Sequence, residues 1–310
     1  MCCLFGIHDY GHSLDRRQKN KLLATLAVAC EARGTDATGI AYNADSHLSI
    51  YKRPLPARRL WFRVPEEARV IMGHTRMTTQ GNEKFNYNNH PFPGTVSNIS
   101  FALAHNGVLH NDKRLKQKNH LPLTRIETDS YVAVQLLEQE KVLNFDSLGK
   151  MAEQLEGSYT ITLLTQQDEL YIIKGDNPMC LYHYPARGLY LYASTGEILE
   201  AALKRLPFSI GTPVRINLTC GEILRLDAQG KQSRSQFDDS KLFPPMYSPW
   251  MWEGWEIPVR RTDSNNSYLQ DLQAIAACYG IYPADIEELL ADGFTYDDIE
   301  ELIYSGITCH

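Results

Sequence analysis

MCCLFG, residues 1–6, sets two cysteines directly behind the initiator methionine. A small side chain at position 2 suits removal of that methionine, which leaves Cys2 with both a thiol and a free α-amino group. The amine's pKa, about 7.7–8.0, lies just below the ~8.5 of a free thiol. Nucleophile and base would then share one residue. The plainer reading makes Cys2 and Cys3 the start of a buried strand, since free cysteine is among the most buried residue types. Alone, the six residues favour packing over chemistry.

The chain around them has 310 residues, 43% of them hydrophobic. That is enough for one large core, or for a domain with an appendage. Its seven cysteines are scattered and include no C-x-x-C pair. Neither a disulfide framework nor a zinc site is expected, and the expected compartment is the cytoplasm. LFGI is too short for a signal-peptide core and is soon followed by Asp9, Asp15, Arg16 and Arg17. No run of about 18 apolar residues exists to span a membrane. The net charge of −6 is uneven: ten acids and no Lys or Arg follow Arg261, which puts −10 on the tail and +4 on the rest. Mild positive charge without a basic cluster argues against a nucleic-acid partner, and the acidic tail argues for a separate module.

Residues 2–7 read as a strand, and DRRQKNKLLATLAVACEARG (15–34) as a helix closed by Gly34. β-Branched or alternating runs follow at 39–44, 48–53, 69–76 and 99–107, then helical patterns at 127–140 and 147–157. SYTITLLT (158–165) and ELYIIKG (169–175) read as a hairpin; a strand at 188–194, a helix at 195–206 and a strand at 221–227 complete the pattern. Hairpin-length turns predict largely antiparallel sheets, and strands apolar on both faces predict helices covering them. No Gly-rich phosphate loop appears.

From about residue 236 the character changes. FPPMYSPWMWEGWEIP (243–258) holds three of the four Trp residues and cannot be a regular helix. Beyond it, DIEELLADG (285–293) and DIEELIYSG (298–306) form a near-repeat, each copy one short helix with a Gly stop. With YLQDLQAIAACYG (268–280) in front, a small three-helix bundle is expected. The expected organisation is a domain over 2–235, a Pro/Trp-rich connection over 236–265 and an acidic helical module over 266–310.

Four further stretches bear on Cys2. ARGTDATGIAY (32–42) places glycines and an Asp around a helix-to-strand connection. GHTRMTTQG (73–81) ends a strand with an Arg among small hydroxyl residues, and a guanidinium suits bidentate capture of a carboxylate. LAHNGVL (103–109) runs a strand into Asn-Gly, a turn signal that also offers a side-chain amide and an uncovered backbone N–H to an oxyanion. IETDSYVA (126–133) puts acids at a helix start, where Thr128 or Asp129 reads as an N-cap and Asp129 could instead receive a substrate ammonium.

In this order and spacing, MC-x-x-F-G, RG-x-D-A-T-G, HTR-x-x-T-x-G, HNG and ETD strongly resemble the class II glutamine amidotransferase domain, an N-terminal-nucleophile hydrolase. The resemblance runs from residue 2 to about 235, with NNHPF (88–92) and LEGSYTITLL (155–164) as further matches. It implies an α+β fold, a four-layer α/β/β/α sandwich of two mainly antiparallel sheets. It also implies Cys2 as nucleophile and Asn106 and Gly107 as the oxyanion hole. Arg76 matches the residue that takes the glutamine α-carboxylate, Thr79 its neighbour and Asp129 the acid that receives the α-ammonium. Arg33, Gly34, Met77 and His105 match supporting positions, and no metal or cofactor is implied.

The sequence departs from the family pattern at Cys3, where Gly is usual, at Met77, where an aromatic is common, and at Gln80, where aminosugar synthases carry His. No synthase domain is recognisable after residue 235. Three functions follow as expectations. The first is a glutamine-hydrolysing amidotransferase subunit that works through a Cys2 thioester and docks an ammonia-accepting synthase through its acidic module. The second is a stand-alone hydrolase of γ-glutamyl amides. The third is a catalytically silent binding or regulatory protein on the same fold.

Overall fold

The computed structural model describes residues 2–45, 47–242, 269, 273, 276, 281–291, 294 and 299. The chain divides into two compact units, residues 1–242 and 243–310. In chain order the strands are β1 (Cys3–Asp9), β2 (Ala37–Ala44), β3 (His47–Arg53), β4 (Val70–Arg76), β5 (Phe92–Val96), β6 (Ile99–Leu109), β7 (Gly157–Thr165), β8 (Leu170–Lys174), β9 (Cys180–Tyr184), β10 (Leu189–Ala193), β11 (Val214–Ile216), β12 (Glu222–Leu226) and β13 (Gln232–Gln236). The helices of the first unit are α1 (Arg16–Ala29), α2 (Asp112–Lys118), α3 (Tyr131–Glu138), α4 (Phe145–Ala152) and α5 (Gly196–Lys204).

Every residue of β1 is buried, because the strand is covered on both faces. Cys3, Phe5 and Ile7 enter one apolar cluster and Leu4 another, as the two-residue period of a strand requires. β1 is the middle strand of a seven-stranded sheet ordered β11-β9-β10-β1-β4-β2-β3; the second sheet has six strands, ordered β13-β12-β8-β7-β6-β5. Each described pairing is antiparallel.

Three clusters set the layers. Leu22, Leu23 and Leu26 of α1 and Ile198 and Leu199 of α5 pack with Cys3, Phe5 and Ile7 on the outer face of the larger sheet. Leu115, Val132, Leu136 and Leu148 from α2–α4 cover Phe101, Leu103, Ile161 and Ile173 on the outer face of the smaller sheet. Between the sheets, Leu4, Val70 and Met72 meet Ala102, Ala104, Leu164 and Ile172. The result is the expected α/β/β/α sandwich.

The local signals act as read. Asp15 accepts from Gln18 N at 2.8 Å while Gln18 Oε1 accepts from Asp15 N at 3.2 Å, a capping box that starts α1. A 3₁₀ turn, Cys30–Ala32, ends it and delivers Arg33 and Gly34 to the end of the sheet. Two expectations shift. The helix expected from residue 127 begins at Tyr131, because Thr128 and Asp129 are engaged in side-chain hydrogen bonds instead. β5, β9, β11 and β13 escaped the periodicity reading: β5 holds Pro93 and Gly94, and β11 and β13 are short, exposed edge strands. Edge positions tolerate Pro and polar residues because only one side of the backbone is paired.

Phe237 and Leu242 belong to the core under α4, so the first unit's packing continues past residue 235. In the second unit, α6 (Pro283–Ala291) buries Ile286 in a small cluster with Ala276 and Ile299. Ile286 and Ile299 occupy equivalent places in the two copies of the near-repeat. The Trp-rich stretch 243–258, and most of 268–280 and 298–306, lie outside the described residues.

Candidate active site

Cys3 of β1 faces Thr75 of β4, which brings Cys2 to the end of that pair, level with Arg76. Cys2 is half-buried; its carbonyl accepts from Arg33 Nε at 3.1 Å and its thiol donates to the Met77 carbonyl at 3.5 Å. Burial pushes the Cys2 thiol pKa up, against the opposing pull of the Met77 hydrogen bond and the Arg76 cation. A thiol so placed needs a base to become a nucleophile. Cys3 turns the other way, fully buried in the cluster beneath α1 beside Cys30, and both thiols are free.

Arg76 ends β4 and is 2% exposed. Its guanidinium donates to Asn89 Oδ1 at 2.7 Å, to the Gln80 carbonyl and to the Gly81 carbonyl at 3.3 Å. The backbone here is crowded: a Cβ on Gly34 would lie 2.5 Å from the Arg76 carbonyl carbon, so glycine lets the connection after α1 pass the end of β4. Asp36 ties the same corner, donating from its backbone N to the Arg76 carbonyl at 3.0 Å and accepting from Thr78 N at 2.7 Å. Glu127 anchors the following loop: its backbone carbonyl accepts from Gln80 Nε2 at 2.9 Å, and its carboxylate from Asn82 N at 3.2 Å and Asn88 Nδ2 at 2.7 Å. Thr79 and Met77 are exposed on this loop.

The second sheet contributes the rest. Asn106 on β6 is fully buried, and neither Nδ2 nor Oδ1 has a hydrogen-bond partner among the described residues. Buried amides are almost always satisfied, so an amide with both atoms unpartnered is uncommon. Gly107 has φ +136°, and a Cβ there would collide with the Ser158 carbonyl. The Asp129 carboxylate, 2% exposed, accepts from Leu109 N at 2.7 Å, Ser130 N at 2.8 Å and Ser130 Oγ at 3.2 Å. His74 Nε2 reaches the His105 carbonyl at 3.0 Å, and His105 Nδ1 shares a 2.7 Å hydrogen bond with Ser130 Oγ. This chain joins β4, β6 and the turn before α3 across the two sheets. Asp129 and Arg76 both act electrostatically on the Cys2 thiol.

Three buried histidines underlie the site. Burial holds His74 at about 3, His90 well below 6.5 and His105 below its ordinary value, and their mutual proximity adds to the effect for His74 and His90. All are neutral at pH 7 and serve as scaffold rather than as charge.

Cys2, Arg33, Gly34, Arg76, Met77, His105, Asn106, Gly107 and Asp129 thus gather at one end of the sandwich, whereas Thr79 makes no side-chain hydrogen bond to them. Sequence reasoning assigned no role to Asn89, Asp36, Glu127 or Ser130. Each sits inside a stretch it had singled out, but only folding shows which neighbour in the motif supplies the bond. Among the described residues, no group of three His, Cys, Asp or Glu side chains is placed to hold a metal ion, and no described helix is long and apolar enough to cross a membrane.

No family profile matches the chain. Over 188 residues it is 31% identical to the isomerizing glutamine–fructose-6-phosphate aminotransferase of Staphylococcus epidermidis, a match spanning 58% of this chain and 30% of that enzyme. The corresponding enzyme of Staphylococcus aureus is 32% identical over 190 residues, with the same coverage of 58% and 30%. The chain therefore spans less than a third of the length of these relatives. Among solved structures, the glutamine phosphoribosylpyrophosphate amidotransferase of Bacillus subtilis superposes with a TM-score of 0.61 at 20% identity, over 76% of this chain and 49% of that one. An allosteric regulatory enzyme of purine biosynthesis gives 0.60 at 20% identity with the same coverage of 76% and 49%, and these likenesses show the fold. Part of the chain is thus similar in sequence to these two aminotransferases, and its fold is that of the two solved structures.

Proposed function

We propose that the chain hydrolyses the side-chain amide of glutamine through a thioester on Cys2, releasing ammonia and glutamate. The observation that carries this reading is Asn106: a fully buried amide with no partner among the described residues, beside a left-handed glycine, at the end of the sandwich that holds a half-buried thiol. Arg76 takes the α-carboxylate of glutamine and Asp129 its α-ammonium, so the charged end is fixed and the side-chain amide reaches Cys2. Thr79 and Met77 line the approach. Arg33 holds the Cys2 backbone, and Gly34 and His105 hold the strands that present Arg76 and Asn106.

The α-amine of processed Cys2, directly or through water, removes the thiol proton. The sulfur attacks the amide carbon, and the carbonyl oxygen gains the negative charge that Asn106 Nδ2–H and Gly107 N–H stabilise. The tetrahedral species collapses: the C–N bond breaks, the amine's proton goes to the departing nitrogen, and ammonia leaves a γ-glutamyl thioester. Water, deprotonated by the same amine, attacks the thioester; glutamate departs and the thiol regains its proton.

The ten acids after Arg261, with no base among them, support docking of an ammonia-accepting synthase through the 266–310 module. The free thiols fit a cytoplasmic setting. The test is ammonia and glutamate release from glutamine. Cys2→Ala abolishes it and Cys3→Ala retains most of it; equal loss in both overturns the assignment of Cys2, as does a mature protein whose intact mass retains Met1. A γ-glutamyl amide of another amine turned over faster than glutamine would move the reading to a stand-alone hydrolase. Truncation after residue 262 spares glutaminase activity and abolishes partner pull-down if the docking assignment holds.

A further inference from the structure

Resting on the reading of Arg76 as the carboxylate clamp, we propose that Asn89 is a positioning residue that directs the Arg76 guanidinium while leaving its positive charge uncompensated. Every hydrogen-bond partner of that guanidinium is a neutral oxygen: Asn89 Oδ1 at 2.7 Å, the Gln80 carbonyl and the Gly81 carbonyl. Among the described residues no carboxylate lies within ion-pair distance of Arg76. Asp36, Glu83 and Asp129 act on it only through space. A guanidinium this buried is ordinarily matched to a carboxylate of the protein. Arg76 is matched to amide and peptide oxygens instead.

Asn89 is built to hold its place. It is 1% exposed, and its Nδ2 donates to the Glu83 carbonyl at 2.7 Å, which dictates that Oδ1 is the atom turned toward Arg76. Its backbone is tied separately, the N–H to the Asn86 carbonyl at 3.2 Å and the carbonyl to Lys52 Nζ at 2.5 Å. Neutral acceptors thus engage three guanidinium bonds, and at least two of the five N–H donors remain for an anion. Such a cradle selects a ligand that brings its own carboxylate and discriminates against an amide that lacks one.

The experiment compares glutamine with γ-aminobutyramide, which keeps the amide and the amine but lacks the α-carboxylate. Calorimetry in the full-length Cys2→Ala chain measures both ligands with Asn89 intact, with Asn89→Ala and with Asn89→Asp. Asn89→Ala removes the support; Asn89→Asp keeps an acceptor in place and adds the compensating charge. Both substitutions are expected to weaken glutamine binding about tenfold while γ-aminobutyramide changes less than about twofold. A folded Asn89→Asp chain with the parent affinity for glutamine overturns the proposal, and so do equal losses for the two ligands. Ammonia release by the chain with Cys2 intact is scored separately. Its absence would overturn the catalytic reading, while the binding comparison would still decide the role of Asn89.

Discussion

His74 on β4 donates from Nε2 to the backbone carbonyl of His105 on β6, at 3.0 Å, across the space between the two sheets. The bond joins the strand that ends in Arg76 to the strand that carries Asn106, so the proposed clamp and the proposed oxyanion donor are tied together. Both ends are buried, and His74 is neutral there with a pKa of about 3.

Replacing His74 by Phe leaves the His105 carbonyl buried without its donor. The expected cost is about 1–3 kcal/mol in chemical denaturation. Glutaminase kcat should fall as well, because the two halves of the site lose their registration. A variant with parental stability and parental kcat would show that the bridge is incidental.

Asn106→Ala separates function from stability. Removing one oxyanion donor is expected to lower kcat about 10²–10³-fold, with KM for glutamine little changed. Because the Asn106 amide has no partner among the described residues, stability should change by less than about 1 kcal/mol. A large loss of stability would mean that the amide is structural.

His8 supplies a pH signature. It is buried among Tyr10 and Tyr190 with neither ring nitrogen partnered among the described residues, and burial holds its pKa at about 4 against an ordinary 6.5. The unfolded chain therefore binds more protons than the folded one between these values, and stability falls as pH drops through that window. His74 adds to the same trend. His8→Phe removes the His8 share, so its effect on stability should be about 2 kcal/mol more favourable at pH 5 than at pH 8. Urea midpoints at the two pH values measure this; an equal shift at both would place the titration elsewhere.

Lys19 is fully buried on α1, with Nζ donating to the carbonyls of Glu66 at 2.6 Å and Ala68 at 2.8 Å and lying 3.5 Å from Asp9 Oδ2. Lys19→Met strands two carbonyls and leaves the buried Asp9 carboxylate without its cation. The expected loss is about 3–5 kcal/mol, measured by denaturant unfolding. Lys21→Met, on an exposed position of the same helix, should change stability by less than about 0.5 kcal/mol.

Lys19 also shows where residue order stops being informative. In DRRQKNKLL, Lys19 and Lys21 look alike, and nothing local tells that one of them faces three oxygens brought from β1 and the loop before β4. The edge strands were illegible for a related reason: Phe92–Val96 alternates buried and exposed positions but fills them with Pro93 and Gly94, and Gln232–Gln236 is polar throughout, as strands paired on one side allow.

Residue order alone dictated the layered antiparallel architecture, through strands apolar on both faces and helices apolar on one, and it dictated the motif set around Cys2. Those are short-range properties, written in periodicity and spacing. The motif set singled out Cys2 over Cys3; the folded chain added the physical difference, turning one thiol toward Met77 and the other into the core beside Cys30. Only the folded chain showed that Asn106 has no partner among the described residues and that Asn89 Oδ1 accepts from the Arg76 guanidinium, where a carboxylate is ordinary. Such facts depend on which segments become neighbours: the bond of His74 with His105, 31 positions apart, exists only once the two sheets have closed on each other, and that of Arg76 with Asn89, 13 apart, only once the connection after β4 has folded back on the strand's end.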